Sequence, residues 1–81
     1  MYSVYIIHSE RIGRYYVGST NNLDGRIYRH NAGQSKFTKR GVPWRLVKTF
    51  EFSTRSEAHQ LEMKVKKRGI ERFLMDNKFG V

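Results

Sequence analysis

The chain has 81 residues, which allows a single domain (1–81), and 16 Lys and Arg against 7 Asp and Glu give it a net charge of +9, typical of nucleic-acid-binding proteins. Its longest apolar run spans only residues 4–7, which excludes a membrane-spanning helix, and no apolar segment of a secretory signal follows Met1. The absence of cysteine excludes disulfides, thiolate zinc sites and cysteine nucleophiles, and it favours a cytoplasmic protein.

The first part of the chain predicts a β-hairpin. Residues 2–8 and 15–19 are rich in β-branched and aromatic side chains, as strands are. The polar stretch 9–14 between them contains a glycine that suits a turn. A third segment of the same composition, 44–52, predicts a third strand.

Three helices are predicted. Asn21 and Asn22 are candidate N-caps of the first helix, and Gly33 is its candidate stop. Thr54 and Glu57 match a capping box that begins the second helix. The apolar stripe of that helix has three- and four-residue spacing and comprises Ala58, Leu61 and Val65. Gly69 ends the second helix, and a third covers 70–76.

The element order β-β-α-β-α-α predicts an α+β fold, in which a small three-stranded antiparallel sheet is flanked by helices. Residues 1–43 carry 7 basic and 2 acidic groups, and residues 44–81 carry 9 and 5, so the positive charge is not a disordered tail. We interpret it as a nucleic-acid-binding surface. A ribosome-associated protein or a merely solvated basic surface is the alternative.

Glu62 is the acidic residue that the pattern least explains. No cluster of zinc ligands, P-loop or dinucleotide-binding glycine pattern is present. Glu62 borders the apolar stripe of the second helix, where a carboxylate is costly to desolvate unless a cation meets it. A bound metal ion is one interpretation, and an ion pair with Lys66 one turn later is the other.

Two further groups could form a site. Arg26 and His30 are four residues apart and share one face of the first helix, for which a solvated polar face is the alternative. Tyr5 and Tyr16 lie on the two strands of the hairpin, for which ordinary core packing is the alternative. Gly18 is on the same side as Tyr16, and we expect it to leave the backbone bare for a ligand's close approach.

Together these residues resemble the GIY-YIG nuclease family. The matching elements occur in order along nearly the whole chain: Val4-Tyr5-Ile6, Tyr16-Val17-Gly18, Arg26, His30-Asn31, Gly33, Lys36-Phe37-Thr38, Pro43-Trp44, the helix with Glu62, and Asn77. The sequence is most similar to small stand-alone bacterial members and to subunits of structure-specific endonucleases that cut branched DNA. It departs from the family pattern at Ser3, which replaces a glycine, and at Ser19, where excinuclease-type members carry lysine.

The resemblance implies a metal-dependent DNA endonuclease with Mg²⁺ or Mn²⁺ as cofactor. Glu62 would be the sole protein ligand of the metal ion, and Arg26 would hold the non-bridging phosphate oxygens. Tyr16 and His30 would help to deprotonate the attacking water, and Tyr5 would orient that water or the phosphate. The nucleic-acid-binding residues would be Lys36, Lys39, Arg40 and Asn77.

The implied partner is DNA, including branched or nicked structures, with a role in DNA repair or recombination and no membrane association. One alternative is a non-catalytic nucleic-acid-binding module of the same fold. The other is a small interaction protein that acts only through a partner. The sequence predicts neither the oligomeric state nor a protein partner.

Overall fold

The computed structural model describes the backbone of residues 1–79 and the side chains of residues 1–76. Its elements are β1 (Tyr2–Ser9), β2 (Arg14–Thr20), α1 (Leu23–Asn31), β3 (Arg45–Phe52), α2 (Arg55–Arg68) and α3 (Ile70–Phe79), with a 3₁₀ turn over Lys39–Gly41. The predicted order and α+β class are confirmed. No helix in this described part of the chain is long and apolar enough to cross a membrane.

The sheet has the strand order β2-β1-β3, and both pairings are antiparallel. β1 is therefore the central strand, and its residues 4–7 have no exposed surface. Because successive side chains of a strand point to opposite faces, this burial means that both faces of β1 are covered. In the pairing of β1 with β2, Tyr5 lies opposite Gly18 and Ile7 lies opposite Tyr16.

The helices α2 and α3 cover one face of the sheet. The hydroxyl of Thr54 accepts a hydrogen bond from the Glu57 N–H at 3.2 Å, which confirms the predicted cap of α2. Gly69, with φ of 96°, ends that helix in the left-handed region that favours glycine. The buried core on this face consists of Val4, Ile6, Val17, Ala58, Val65 and Phe73.

The opposite face is covered by α1 and by the segment 34–44. Asn22 begins α1, because its side-chain oxygen accepts a hydrogen bond from the Gly25 N–H at 3.1 Å. The buried residues of this core are Tyr5, Ile7 and Trp44, with Tyr16, Leu23, Ile27 and Val42 packed around them. The strand β2 is an edge of the sheet, so side chains from both faces can meet along it.

Candidate active site

A buried hydrogen-bond network joins the central strand to α1 and to the segment before β3. The Tyr5 hydroxyl lies 2.9 Å from Nε2 of His30, and Nδ1 of His30 lies 2.7 Å from the Thr38 hydroxyl. Trp44 donates its indole N–H to the Thr38 carbonyl oxygen at 2.6 Å. Tyr5 and Thr38 have no exposed surface, and His30 is only 2% exposed. The Asn31 side chain completes the network by bonding both backbone polar groups of Trp44.

Burial sets the protonation states in this network. Burial and the charge of Tyr16 raise the pKa of Tyr5 to about 12, against the opposing effect of the Arg26 charge. Burial, followed by the charge of Arg26, lowers the pKa of His30. At neutral pH Tyr5 is therefore a phenol and His30 a neutral imidazole, with one ring nitrogen that donates and one that accepts.

Gly18 makes room for Tyr5. A Cβ atom at Gly18 would lie 2.5 Å from the Tyr5 hydroxyl oxygen and 2.7 Å from its Cζ. The space that we expected a ligand to occupy is therefore filled by the phenol of the neighbouring strand. Because Gly18 has no side chain, the Tyr5 ring can occupy this space and its hydroxyl can reach His30.

Tyr16 differs from Tyr5 in its exposure. It is half-buried on the edge strand β2, and its ring meets the rings of His30 and Trp44 edge-on, with centroid distances of 5.3 Å and 6.5 Å. The network beneath thus fixes the orientation of Tyr16 while part of its surface stays in solvent. Of Tyr5 and Tyr16, Tyr16 is the one that an incoming molecule can contact.

Glu62 reaches β2 from the other face of the sheet. Ser19 donates its hydroxyl to Oε1 at 2.7 Å, and Nζ of Lys66 lies 2.9 Å from Oε2. Burial raises the pKa of Glu62, but the hydrogen bonds from Ser19 and Lys66 and the charges of Lys66 and His59 outweigh it and lower the pKa. The ion pair with Lys66 is confirmed. The compensation that we assigned to a metal ion is therefore already supplied by Lys66 and Ser19.

Predicted residues from four elements lie around β2. Tyr5 on β1 is near enough to Tyr16, Arg26 and Glu62, on β2, α1 and α2, for each of them to influence its pKa. Arg26 also lines a cleft of about 270 Å³ together with Ser19, Thr20 and His59, among others. The site therefore straddles the edge strand β2, with a guanidinium from one face and a carboxylate from the other.

Glu62 offers a carboxylate as a metal ligand at this site. Among the side chains that the structure describes, no three His, Cys, Asp or Glu residues gather in a group that could hold a metal ion. A single carboxylate nevertheless fits Mg²⁺ or Mn²⁺, because such ions retain several waters and bind few protein carboxylates. Glu62 is ionised, its side chain is 14% exposed, and each oxygen has a further lone pair.

Tyr5 and His30 have little contact with solvent. Tyr5 was expected to orient the attacking water or the phosphate, and His30 to help deprotonate the water, but both lie in the buried network with at most 2% of their surface exposed. The burial of His30 also contradicts the alternative in which it shares a solvated polar face with Arg26. His30 contacts the ring of Tyr16, and Tyr5 lies within hydrogen-bond distance of His30.

The predicted nucleic-acid-binding residues Lys36, Lys39 and Arg40 are exposed on the segment 34–43. Thr38 anchors this segment through its bond to His30. The Asn77 side chain lies outside the described residues.

Three groups that shape the site were given no role from the sequence: Ser19, Thr38 and Trp44. Ser19 was noted only as the replacement for a lysine, although a hydroxyl facing a partly buried carboxylate is a natural donor. One available signal was the uninterrupted apolar run 4–7, which is typical of a central strand covered on both faces. It indicated that Tyr5 would be buried and would need a hydrogen-bond partner.

Comparison with known proteins identifies a matching family and similar sequences. A family model described as the GIY-YIG catalytic domain matches residues 1–71. UPF0213 protein BH0048 from Halalkalibacterium halodurans is 39% identical over 64 residues, which cover 78% of this chain and 67% of that protein. UPF0213 protein VNG_2274C from Halobacterium salinarum is 37% identical over 67 residues, which cover 82% and 86%.

A solved structure resembles the whole fold. The solution NMR structure of UPF0213 protein BH0048 from Bacillus halodurans matches with a TM-score of 0.59 and 32% identity, covering 99% of this chain and 87% of that chain. The names of these relatives state no substrate.

Proposed function

The chain belongs to the GIY-YIG family, and on that premise we propose that it is a divalent-metal-dependent DNA endonuclease. One observation carries the proposal: Arg26 lines the same cleft as Ser19, whose hydroxyl donates to Glu62, and Tyr16 lies on the same edge strand, β2. Phosphodiester hydrolysis requires a cation on the phosphate, a group that prepares the water and a ligand for a metal ion. Arg26, Tyr16 and Glu62 match those requirements.

In the proposed mechanism, Arg26 holds two non-bridging phosphate oxygens in a bidentate contact. The exposed part of the Tyr16 phenol orients the attacking water and helps to deprotonate it. Tyr5 and His30 are positioning residues, because they hold the Tyr16 ring through the edge-on contact with His30. Glu62 is the residue that would hold Mg²⁺ or Mn²⁺, which when bound stabilises the charge that develops on the phosphate.

The DNA would be held mainly through its phosphates. Lys36, Lys39 and Arg40 are exposed on an anchored segment, and we propose that they bind the backbone and make the affinity depend on salt. Asn77 remains a proposed contact. Branched or nicked DNA as the substrate, a role in repair or recombination and a cytoplasmic location also remain proposals.

A non-catalytic nucleic-acid-binding module is the second candidate. The observation that favours it is the pairing of Glu62 with Ser19 and Lys66, which leaves the carboxylate stable without a metal ion. Both candidates predict DNA binding. They differ only in whether phosphodiester bonds are cut.

The deciding experiment is plasmid nicking as a function of Mg²⁺ or Mn²⁺ concentration. The parent should nick, and Glu62→Gln should not, while its DNA binding stays unchanged or becomes slightly tighter because a negative charge near the phosphates is lost. Arg26→Lys should recover little of the activity lost in Arg26→Ala, because a point charge cannot replace a bidentate fork. Glu57→Gln, on the same helix but in the cap, is the matched control and should nick like the parent.

Two results would contradict the proposal. If Glu62→Gln nicks like the parent, the metal-ligand assignment is wrong. If the parent binds DNA but nicks with neither ion, the binding-module function replaces the endonuclease. Melting temperatures without metal complete the test by verifying that Glu62→Gln is folded, since the substitution removes the carboxylate that pairs with Lys66. For an active parent, labelled flap, fork, four-way-junction and linear DNAs then identify the preferred substrate.

A further inference from the structure

A second cleft lies at the corner where α2 meets α3, beside the turn between β1 and β2. It has a volume of about 720 Å³ and is lined by residues 12–15 on one side and residues 66–72 on the other. A Cβ atom at Gly13 or Gly69 would meet no atom within 4 Å, so the backbone is open at both positions. Five cations and one carboxylate line the cleft: Arg14, Lys66, Lys67, Arg68, Arg72 and Glu71.

Three of these cations lack an acidic partner. Lys66 is paired with Glu62 and Arg68 with Asp76. Arg14, Lys67 and Arg72 are exposed, and no carboxylate among the described side chains lies within 4 Å of them. The fold thus holds three uncompensated positive charges around one open cleft, an arrangement that attracts an extended anion.

The cleft adjoins the candidate active site through Lys66. Lys66 lines the cleft and contacts Glu62, which lies four residues earlier, or about 6 Å along α2. His59, near the start of α2, shares the smaller cleft with Ser19 and Thr20, at the end of β2. The end of α2 shares the larger cleft with Arg14, where β2 begins. The two clefts therefore lie at opposite ends of β2, with Glu62 between them.

We propose that the α2–α3 cleft is a second phosphate-binding site, which holds the DNA backbone where it runs from Glu62 along β2. This inference rests on the proposed endonuclease function. The seven residues of β2 extend over about 20 Å, which corresponds to about six nucleotides of one strand in a duplex. The segment with Lys36 and Arg40 belongs to the other face of the sheet, so the DNA is held on both sides of the β2 edge.

The test measures DNA binding without divalent ions, so that cleavage does not interfere. Fluorescence anisotropy of a labelled duplex is recorded between about 50 and 200 mM salt. The cleft variant is R14A/K67A/R72A. The matched control, R45A/K48A/K64A, also removes three exposed positive charges. Arg45 and Lys48 lie on β3, and Lys64 lies on α2, where it lines a different cleft together with Phe50 and Phe52.

For the cleft variant, we expect the slope of log affinity against log salt to become less steep by about 2 to 3, because each lost phosphate contact reduces the magnitude of the slope by about 0.9. The control should change that slope by less than about 1. The charge-preserving variant R14K/K67R/R72K should retain the parent slope, which separates charge from local structure. Melting temperatures verify that all variants are folded.

Equal changes in the cleft variant and the control would overturn the inference, because binding would then follow net charge alone. An unchanged slope in the cleft variant would also overturn it. Nicking by the parent is measured separately. If the parent nicks DNA but the cleft variant binds like the control, the cleft is excluded and the endonuclease remains. If the cleft variant shows the expected slope but the parent never nicks, the cleft remains and the endonuclease is excluded.

Discussion

The two faces of the sheet are built from different interactions. Under α2 and α3 the buried core is apolar, with Val65 and Phe73 packed against β1 and β2. Under α1 the core contains the hydrogen-bonded chain of Tyr5, His30 and Thr38. Apolar burial stabilises without regard to direction, whereas a buried hydrogen bond requires its partner at a fixed distance and angle.

This difference explains how a chain of 81 residues can fix the positions of its site residues. The apolar face supplies stability that tolerates rearrangement of side chains. The polar face supplies geometry, because every member of a buried network must keep its partner. The half-buried phenol of Tyr16 packs against the polar face. Substitutions on the two faces should therefore lower the free energy of unfolding by different amounts, and the losses should depend differently on pH.

The largest loss of stability is expected for Phe73→Ala on the apolar face. Phe73 is buried and meets Phe50 edge-on at 5.9 Å, so truncation should lower the free energy of unfolding by about 3–5 kcal/mol through lost burial and the cavity that remains. Met75→Ala, at a 56% exposed position of the same helix, is the control and should change it by less than about 0.5 kcal/mol. Urea denaturation measures both. Similar losses in the two variants would contradict an apolar core centred on Phe73.

A somewhat smaller loss is expected for His30→Phe, which keeps a ring but removes both hydrogen bonds. The hydroxyls of Tyr5 and Thr38 lose their partner in a buried site, so the free energy of unfolding should fall by about 2–4 kcal/mol.

The pH profile identifies the cause. Because the pKa of His30 is lowered on folding, the unfolded chain binds the proton first, and the parent should lose stability as the pH falls below 6.5. His30→Phe should lack this component, whereas His59→Gln, an exposed histidine on α2, should retain it. Parallel acid profiles for the parent and His30→Phe would contradict the buried neutral imidazole.

Gly18→Ala tests the close approach between the two strands. The new methyl group would collide with the Tyr5 phenol, which the network holds in place, and a loss of about 1–3 kcal/mol is expected. A double-mutant cycle with Tyr5→Phe measures the coupling. The loss should be smaller in the Tyr5→Phe background, since the atom nearest to the methyl group is then absent. Strictly additive losses would show that the two sites do not share this contact.

The smallest effect at neutral pH is expected for Tyr5→Phe. The ring still fills its space, but Nε2 of His30 loses its partner, so the cost should be about 1 kcal/mol. The pKa of Tyr5 is raised from 10.0 to about 12 on folding, and the parent should therefore lose stability as the pH rises above 10. That loss should be reduced in Tyr5→Phe and kept in the exposed-site control Tyr28→Phe, as followed by thermal melting. Equal losses of stability at alkaline pH in all three proteins would show that Tyr5 is exposed to solvent.

Much of the fold follows from local patterns in the sequence. Three strands, three helices, the cap formed by Thr54 and the stop at Gly69 were all predicted and are present. These features depend on periodicity, backbone preference and hydrogen bonds between residues close in the chain, so the sequence contains their causes. The resemblance of short motifs also indicated the family and the residues of the candidate site.

Local patterns in the sequence therefore specify which elements form and which side chains are available for chemistry. The exposure and the contacts of those side chains depend on the tertiary structure. The strand order β2-β1-β3 buries Tyr5 on the central strand and leaves Tyr16 half-buried on the edge. Ser19 and Glu62 are 43 residues apart, yet they share a hydrogen bond because α2 packs beside β2. Burial and such long-range contacts depend on how elements pack together, and packing sets the pKa, the exposure and the partner of each group.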